Sequence, residues 1–400
     1  MRIQRNRSRL SFHSPRRRRS GGLSLAVLLG VLVGVGAVTW NLIGIRMNPG
    51  AAAAGDALAA GQAAFGRGDL SNAIAYARQA LDANPDDEAA LILLTRALIY
   101  RSYSDYNRAV DRESALELAL ESLARTPKTA PRLAALAYAQ QANGQGAEAA
   151  QTADEALRLD PNNGLARVAR ALAYGGVGSF EIALRESQQV TKDSTWQMDG
   201  ERALAISYSD LGDYDNAIKS VDRAIALNRH LVPLYFERAL YALQVGDADT
   251  ATAAYYQVLT FDPDNVKARL RLCELSSLLR ERDAAVKYCQ EVTARAPEWS
   301  DGWYQLGMEY FLQGDFPAAQ TTLHRCSSLQ VMQNVPVSER RFECWYLQGQ
   351  AAEIVGDCKG LVATYNEFRA MAKETTIDQT WMYPPEGPPG CTPLQPTTLN

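Results

Sequence analysis

One long apolar segment lies near the start of the chain, at residues 23–45. It has no charge over 23 residues, and four residues interrupt its aliphatic and glycine run: Ser24, Thr39, Trp40 and Asn41. A helix of this length measures about 34 Å, which is enough to cross a hydrocarbon core of about 30 Å. The pattern therefore predicts one transmembrane helix. A cleaved signal peptide is the alternative, but its apolar region usually covers about 7–15 residues, so we favour an uncleaved anchor.

Arginine dominates the segment that precedes this apolar run. Residues 1–20 hold eight arginines and no carboxylate, whereas Arg46 is the single basic residue soon after the run. Because basic residues accumulate on the cytoplasmic side of a span, we predict a cytoplasmic tip at residues 1–22 and an extracytoplasmic remainder. The anchor's composition suggests a bacterial cell envelope, with an organelle membrane as the alternative. Gly30 and Gly34 form a GxxxG spacing that would allow weak dimerisation of two such helices.

Beyond residue 54, helical apolar patterns recur with a period of 34 residues. Pro127 and Pro161 are one period apart, as are Pro263 and Pro297, and three periods separate the two pairs. In each of seven units, two small residues stand twelve positions apart: Gly61 with Ala73, Ala137 with Ala149, Ala171 with Ala183, Ala205 with Ala217, Ala239 with Ala251, Cys273 with Ala285, and Gly307 with Ala319. Small side chains let two antiparallel helices approach closely, and proline ends the second helix.

These units resemble the tetratricopeptide repeat family. The best match lies in one unit, where the family pattern is met by Trp303, Leu306, Gly307, Tyr310, Gly314, Phe316 and Ala319. The resemblance implies an all-α, right-handed superhelical solenoid of antiparallel helix pairs. We expect nine units over residues 54–375, starting near residues 54, 88, 130, 164, 198, 232, 266, 300 and 342.

Two units are longer than the repeat requires, and the flanking segments differ in composition. Extra residues lie around positions 101–112 and 331–341. Residues 46–53 form an Ala/Gly/Pro linker, and residues 376–400 form a proline-rich tail. Trp381, Met382 and Tyr383 either cap the apolar edge of the last unit or belong to a disordered tail.

All six cysteines fall after residue 272, which suggests disulfides if this part of the chain is extracytoplasmic. Six cysteines allow about 15 pairings, and repeat geometry favours Cys273 with Cys289, Cys326 with Cys344, and Cys358 with Cys391. The alternative is that some remain free, because Cys273 and Cys326 occupy positions where a repeat needs small buried residues.

Charge and motifs argue against nucleic-acid binding and catalysis. The net charge of −4 is the sum of two unlike parts. The tip contributes eight arginines, and the rest of the chain has 33 basic and 45 acidic residues, a charge of −12. A nucleic-acid-binding protein usually carries a basic excess. His13, His230 and His324 lie far apart without neighbouring ligands, and the chain lacks nucleotide-binding and nucleophile motifs. We predict neither an enzyme nor a cofactor or metal site.

The resemblance also implies a ligand-binding groove on the concave face, formed by the fifth and ninth positions of each first helix. We expect partner proteins or peptides to contact an apolar and aromatic surface there, with packing inside the superhelix as the alternative. The candidate residues are Arg202, Ile206, Phe236, Leu240, Leu270, Tyr304, Met308 and Tyr346. Two functions follow: a membrane-anchored interaction scaffold, or an accessory subunit of a separate envelope enzyme such as a glycosyltransferase or protease.

Overall fold

A computed structural model describes residues 49–125, 127–374, 381–383, 388 and 391. The predicted tip, the predicted transmembrane helix at residues 23–45, and Gly30 and Gly34 lie outside these residues. Within the described part of the chain, every helix is too short or too polar to cross a bilayer.

The described residues form eighteen α-helices arranged as nine antiparallel pairs, and they contain no strand. The helices are α1 (Pro49–Gly66), α2 (Leu70–Ala83), α3 (Glu88–Ser102), α4 (Val110–Arg125), α5 (Ala130–Ala142), α6 (Gly146–Leu159), α7 (Gly164–Gly176), α8 (Phe180–Val190), α9 (Gln197–Asp210), α10 (Tyr214–Leu227), α11 (Val232–Gln244), α12 (Ala248–Phe261), α13 (Val266–Leu278), α14 (Arg282–Arg295), α15 (Ser300–Gln313), α16 (Phe316–Met332), α17 (Glu343–Val355) and α18 (Cys358–Glu374).

This architecture confirms the predicted all-helical solenoid for the described residues. Each helix packs against its pair partner, and the second helix of each pair packs against the first helix of the next pair. The first helix begins at Pro49, inside the segment predicted as a linker, and the last pair begins at Glu343. The two predicted insertions fall between helices: residues 103–109 connect α3 to α4, and residues 333–342 connect α16 to α17 and include the short 3₁₀ helix Val337–Glu339.

A repeated turn joins the helices of several pairs. Glycine occupies it with a positive φ, as at Gly212 (76°) and Gly246 (78°), and an aspartate follows as the N-cap of the second helix. The Asp247 carboxylate accepts a hydrogen bond from the Thr250 amide at 2.9 Å. Such a cap satisfies an amide that the helix leaves unpaired, and glycine adopts the left-handed backbone without steric cost. The turn therefore fixes where each second helix begins.

The tail residues that the structure describes lie against the last pair. Trp381 is buried, with its ring 5.2 Å from the Tyr365 ring and 5.0 Å from the Phe368 ring. The Tyr383 amide donates a hydrogen bond to the Tyr365 hydroxyl at 2.9 Å, and Met382 is exposed. Trp381 and Tyr383 thus take the positions expected of a cap, whereas Met382 does not cover the edge.

The structure joins the six cysteines in the three predicted pairs. Cys273–Cys289 links α13 to α14, Cys326–Cys344 links α16 to α17, and Cys358–Cys391 links α18 to the tail. No free cysteine occurs among the described residues.

The solenoid is curved enough for its first repeat to touch its sixth. The Asn228 side chain, at the end of α10, donates a hydrogen bond to the Phe65 carbonyl of α1 at 3.1 Å. The turn after α1 also meets the loop before α11, where a Cβ built at Gly68 would lie 2.3 Å from the His230 carbonyl oxygen. Glycine is therefore required at position 68 by the close approach as well as by its φ of 71°.

Replacing Gly68 with alanine should destabilise the protein more than the same change at Gly246. Both residues have a positive φ, which costs alanine about 1–2 kcal/mol, but only the Cβ at position 68 meets another repeat, since space is open at Gly246. We expect Gly68→Ala to lower the thermal unfolding midpoint further, as followed by circular dichroism. Equal midpoints for the two variants would show that repeats 1 and 6 do not touch in solution.

Candidate partner-binding groove

An open groove of about 550 Å³ lies on the concave side of the solenoid, between α9, α11 and α13. Four of the predicted partner-binding residues lie in it, namely Arg202 and Ile206 of α9 and Phe236 and Leu240 of α11. The remaining lining residues are Tyr103, Gln141, Pro233, Glu237, Leu243, Tyr255, Lys267, Arg271, Glu274, Leu275 and Leu278. We refer to this surface as the groove.

The apolar part of the groove combines a fixed floor with accessible edges. Leu275 and Tyr255 are buried, and the half-buried Phe236 ring packs 6.1 Å from the Tyr255 ring. Leu240 and Leu278, at the edges, are 51% and 71% exposed. A partner that covered both leucines would remove them from water, and burial of a leucine contributes about 1.5–3 kcal/mol.

Arg202 is not free to bind a partner, because it packs inside the superhelix, which is the alternative that the sequence leaves open. Its guanidinium is buried and pairs with the Glu237 carboxylate, with Nη2 2.6 Å from Oε1. It also lies 5.2 Å from the Tyr100 ring centroid and 5.6 Å from that of Tyr103. This arginine therefore connects α9 and α11 to the second repeat instead of offering a free charge.

Lys267, at the start of α13, is a polar residue of the groove that the repeat pattern does not predict. Its Nζ donates a hydrogen bond to the Tyr103 carbonyl at 2.7 Å and lies 4.4 Å from the Phe236 ring centroid. Among the described residues, no carboxylate forms an ion pair with it. Burial, reinforced by the positive charge of Arg271, lowers the pKa of Lys267 to about 8. It lies at the second position of its unit, which the family pattern does not assign to ligand contact.

The insertion after α3 forms one wall of the groove. Residues 103–106 reach across the superhelix to the seventh and eighth repeats, more than 160 residues further along the chain. The Asn265 side chain donates to the Ser104 carbonyl at 2.9 Å, and the Lys267 amide donates to the Asp105 carboxylate at 3.0 Å. The Tyr106 ring stacks on Trp299 at 4.4 Å. The repeat spacing predicts these extra residues but not their path.

The other predicted groove residues lie elsewhere. Leu270 is 4% exposed because it packs with Val266, Val292 and Ala296 against Tyr106 of the insertion, so it is not accessible to a partner. The remaining three predicted residues, Tyr304, Met308 and Tyr346, are half-buried on a separate apolar cluster of repeats 8 and 9. The continuous stretch that the sequence predicts is therefore interrupted, and the open part is limited to α9, α11 and α13.

Behind the groove, a buried ion pair connects repeats 2 and 5. Arg96 of α3 meets Asp199 of α9, with Nη2 2.5 Å from Oδ2, and the Tyr100 hydroxyl donates to the other carboxylate oxygen at 3.0 Å. The Arg96 guanidinium also lies between the rings of Phe65 and Trp196, 4.7 and 4.8 Å from their centroids. The Arg96–Asp199 pair is therefore a buried contact between repeats and is not accessible to a partner.

The described residues contain no cluster of three or more histidine, cysteine or acidic side chains placed to hold a metal ion. The arrangement of the groove is suited to binding: exposed leucines can cover an apolar group, and the Lys267 ammonium can pair with an anion.

Comparison with known proteins shows that the chain contains tetratricopeptide repeats. Three tetratricopeptide-repeat family models match residues 58–87, 202–266 and 242–307. The APC/C hetero-tetramer Cut9–Hcn1 is similar in structure, with a TM-score of 0.54 and 16% identity over 73% of this chain. The match spans 54% of that solved chain, about half its length. This likeness concerns the fold.

Two further solved structures align less well. A tetratricopeptide repeat protein from Parabacteroides merdae is 17% identical, covering 64% of this chain and 98% of its own, with a TM-score of 0.42. YrrB, described as a TPR protein with an unusual peptide-binding site, is 15% identical, covering 45% and 93%, with a TM-score of 0.36. No curated protein matches the chain.

The lowered pKa of Lys267 predicts that stability rises with pH in a window above neutrality. Between pH 8 and its ordinary value of 10.5, the unfolded state binds more protons at this residue than the folded state. Burial of Lys267 therefore lowers the free energy of unfolding most below pH 8. The free energy of unfolding rises by about 1–2 kcal/mol between pH 7.5 and 9.5. We expect this rise in urea unfolding experiments and its loss in Lys267→Met.

The matched control is Lys287→Met, which removes an exposed lysine of α14. It should keep the pH dependence of the wild type. If Lys267→Met has the same pH dependence as the wild type, Lys267 is not desolvated as described.

Proposed function

We propose that this tetratricopeptide-repeat protein is an interaction scaffold that binds a segment of a partner protein in the groove. The observation that carries the proposal is the pair of exposed leucines, Leu240 and Leu278, beside the buried floor at Leu275 and Tyr255. Most of the binding free energy of an interface comes from a few side chains that are buried at its centre, inside a rim of polar groups. Arg271 and Glu274, paired at 2.5 Å, supply part of such a polar rim.

A photocrosslinking amino acid at position 240 should capture the partner in cells, whereas the same group at position 159 should not. Leu159 is a suitable control because it is 57% exposed, close to the 51% of Leu240, but lies at the end of α6 outside the groove. The crosslinked products are identified by mass spectrometry after isolation from solubilised membranes.

Several crosslinked partners belonging to one assembly support the scaffold, and a single enzyme would instead identify an accessory subunit. Equal capture at positions 240 and 159, or capture at neither, contradicts binding in the groove.

We further propose that residues 23–45 anchor the protein in a membrane and that the repeats lie on its extracytoplasmic side. The support is the uncharged segment of 23 residues, the eight arginines before it, and the three disulfides of the repeat region. Disulfides persist in oxidising compartments and are rare in the cytosol. Three of them in the C-terminal third of one chain are what this location would produce.

A reporter enzyme that is active only outside the cytoplasm should be active when fused after Asn400. The same reporter fused after Gly22 is the control and should be inactive, because it lacks the apolar segment that would insert in the membrane. Accumulation of an intact but inactive fusion after Asn400 would place the repeats on the cytoplasmic side.

A further inference from the structure

The charges that line the groove do not cancel. Arg202 pairs with Glu237, and Arg271 pairs with Glu274. This leaves Lys267, whose side chain forms no ion pair among the described residues. Its ammonium has three donors, and the Tyr103 carbonyl accepts from one of them.

Charges just behind this surface do not alter that balance. The Asp105 carboxylate accepts from the Lys267 backbone amide, where it caps α13, and the Arg112 guanidinium lies 5.3 Å from the Tyr103 ring centroid. Asp105 acts on the Lys267 ammonium more strongly than Arg112 does, but its carboxylate forms no ion pair with that ammonium. The groove therefore carries one uncompensated positive charge, located at Lys267.

The apolar surface begins directly beside that charge. The Lys267 Nζ is 4.4 Å from the Phe236 ring centroid, and Phe236 shares α11 with the exposed Leu240. The exposed Leu278 lies at the other end of α13, about 16 Å from Lys267 along the helix axis, and so belongs to a more distant edge of the groove. An anion and an apolar group on neighbouring residues of one partner segment can reach Lys267 and the surface of Phe236 and Leu240 together, since consecutive Cα atoms are about 3.8 Å apart.

We propose that the groove recognises an internal acidic–apolar segment of a partner protein, in which an Asp or Glu carboxylate pairs with Lys267 and an adjacent Leu or Phe side chain contacts Phe236 and Leu240. The proposal rests on the proposed scaffold function and specifies its ligand. A free anion would leave the leucines exposed, and a purely apolar segment would leave the ammonium desolvated without a countercharge, which is costly.

Binding of synthetic peptides to the full-length protein in detergent tests this specificity. The probes are fluorescent six-residue peptides, acetylated and C-terminally amidated so that the side chain supplies the only carboxylate. One series contains Leu-Glu or Phe-Glu between Gly and Ser residues, and the matched series contain Leu-Gln, Ser-Glu and Leu-Lys.

We expect the Leu-Glu and Phe-Glu peptides to bind at least about tenfold more tightly than the Leu-Gln and Ser-Glu peptides. Lys267→Met should abolish the preference for Glu over Gln, Lys267→Arg should retain it, and Leu240→Ser should weaken the binding of all peptides that contain Leu. The exposed Lys287→Met variant should behave as the wild type.

Equal affinity for Leu-Glu and Leu-Gln, or an unchanged preference for Glu in Lys267→Met, would overturn the proposal. Failure of every peptide to bind while position 240 still crosslinks a partner would also overturn it, but would leave the scaffold function intact. Failure of both experiments would contradict the scaffold function itself.

Discussion

The ion pair between Arg96 and Asp199 is the contact on which the shape of the binding surface depends. It joins helices 103 residues apart in the chain, and Asp199 has a side chain only 1% exposed. The cost of removing two charges from water can exceed the attraction between them, so a buried ion pair is by itself weak evidence for stability. Here the pair fixes which two repeats face each other, because either charge without the other would be buried and uncompensated.

Curvature set in this way divides the concave face into parts with different roles. Around repeats 2 and 5, arginines and aromatic rings fill the interior, and the insertion after α3 covers the surface near Leu270. Around α17 and α18, tail residues occupy the end of the array. The groove between α9, α11 and α13 is the part of this face that is covered neither by contacts between early and late repeats nor by the tail. Its position therefore follows from long-range contacts and not from the repeat pattern.

This distinction explains what could be predicted from the sequence. The nine units follow from spacings within 34 residues, because small residues such as Ala205 and Ala217 control the packing of neighbouring helices. The cysteine pairing follows the same local logic. By contrast, the sequence leaves open whether Leu270 and Arg202 face a partner or pack inside the superhelix. Their burial depends on Tyr106 and Tyr100 of the second repeat, which no repeat spacing brings next to them.

Two different devices hold the two ends of the array, and the groove lies between them. In the N-terminal half, alanine-rich helix pairs are held by contacts between repeats that are far apart in the chain, made at Arg96, Asn228 and Gly68. In the C-terminal third, the buried small residues include cysteines, and disulfides join α13 to α14 and α16 to α17.

Repeat proteins are stabilised mainly by contacts between neighbouring repeats, so a middle repeat without such restraints could flex with its neighbours. Fixing both sides reduces the freedom that a partner must remove on binding, and this reduction favours affinity without adding contacts. The floor of the groove at Tyr255 and Leu275 is buried, whereas Leu240 and Leu278 remain exposed. A preorganised surface can discriminate between partners by the relative positions of a charge and an apolar side chain, whereas a flexible surface would adapt to both.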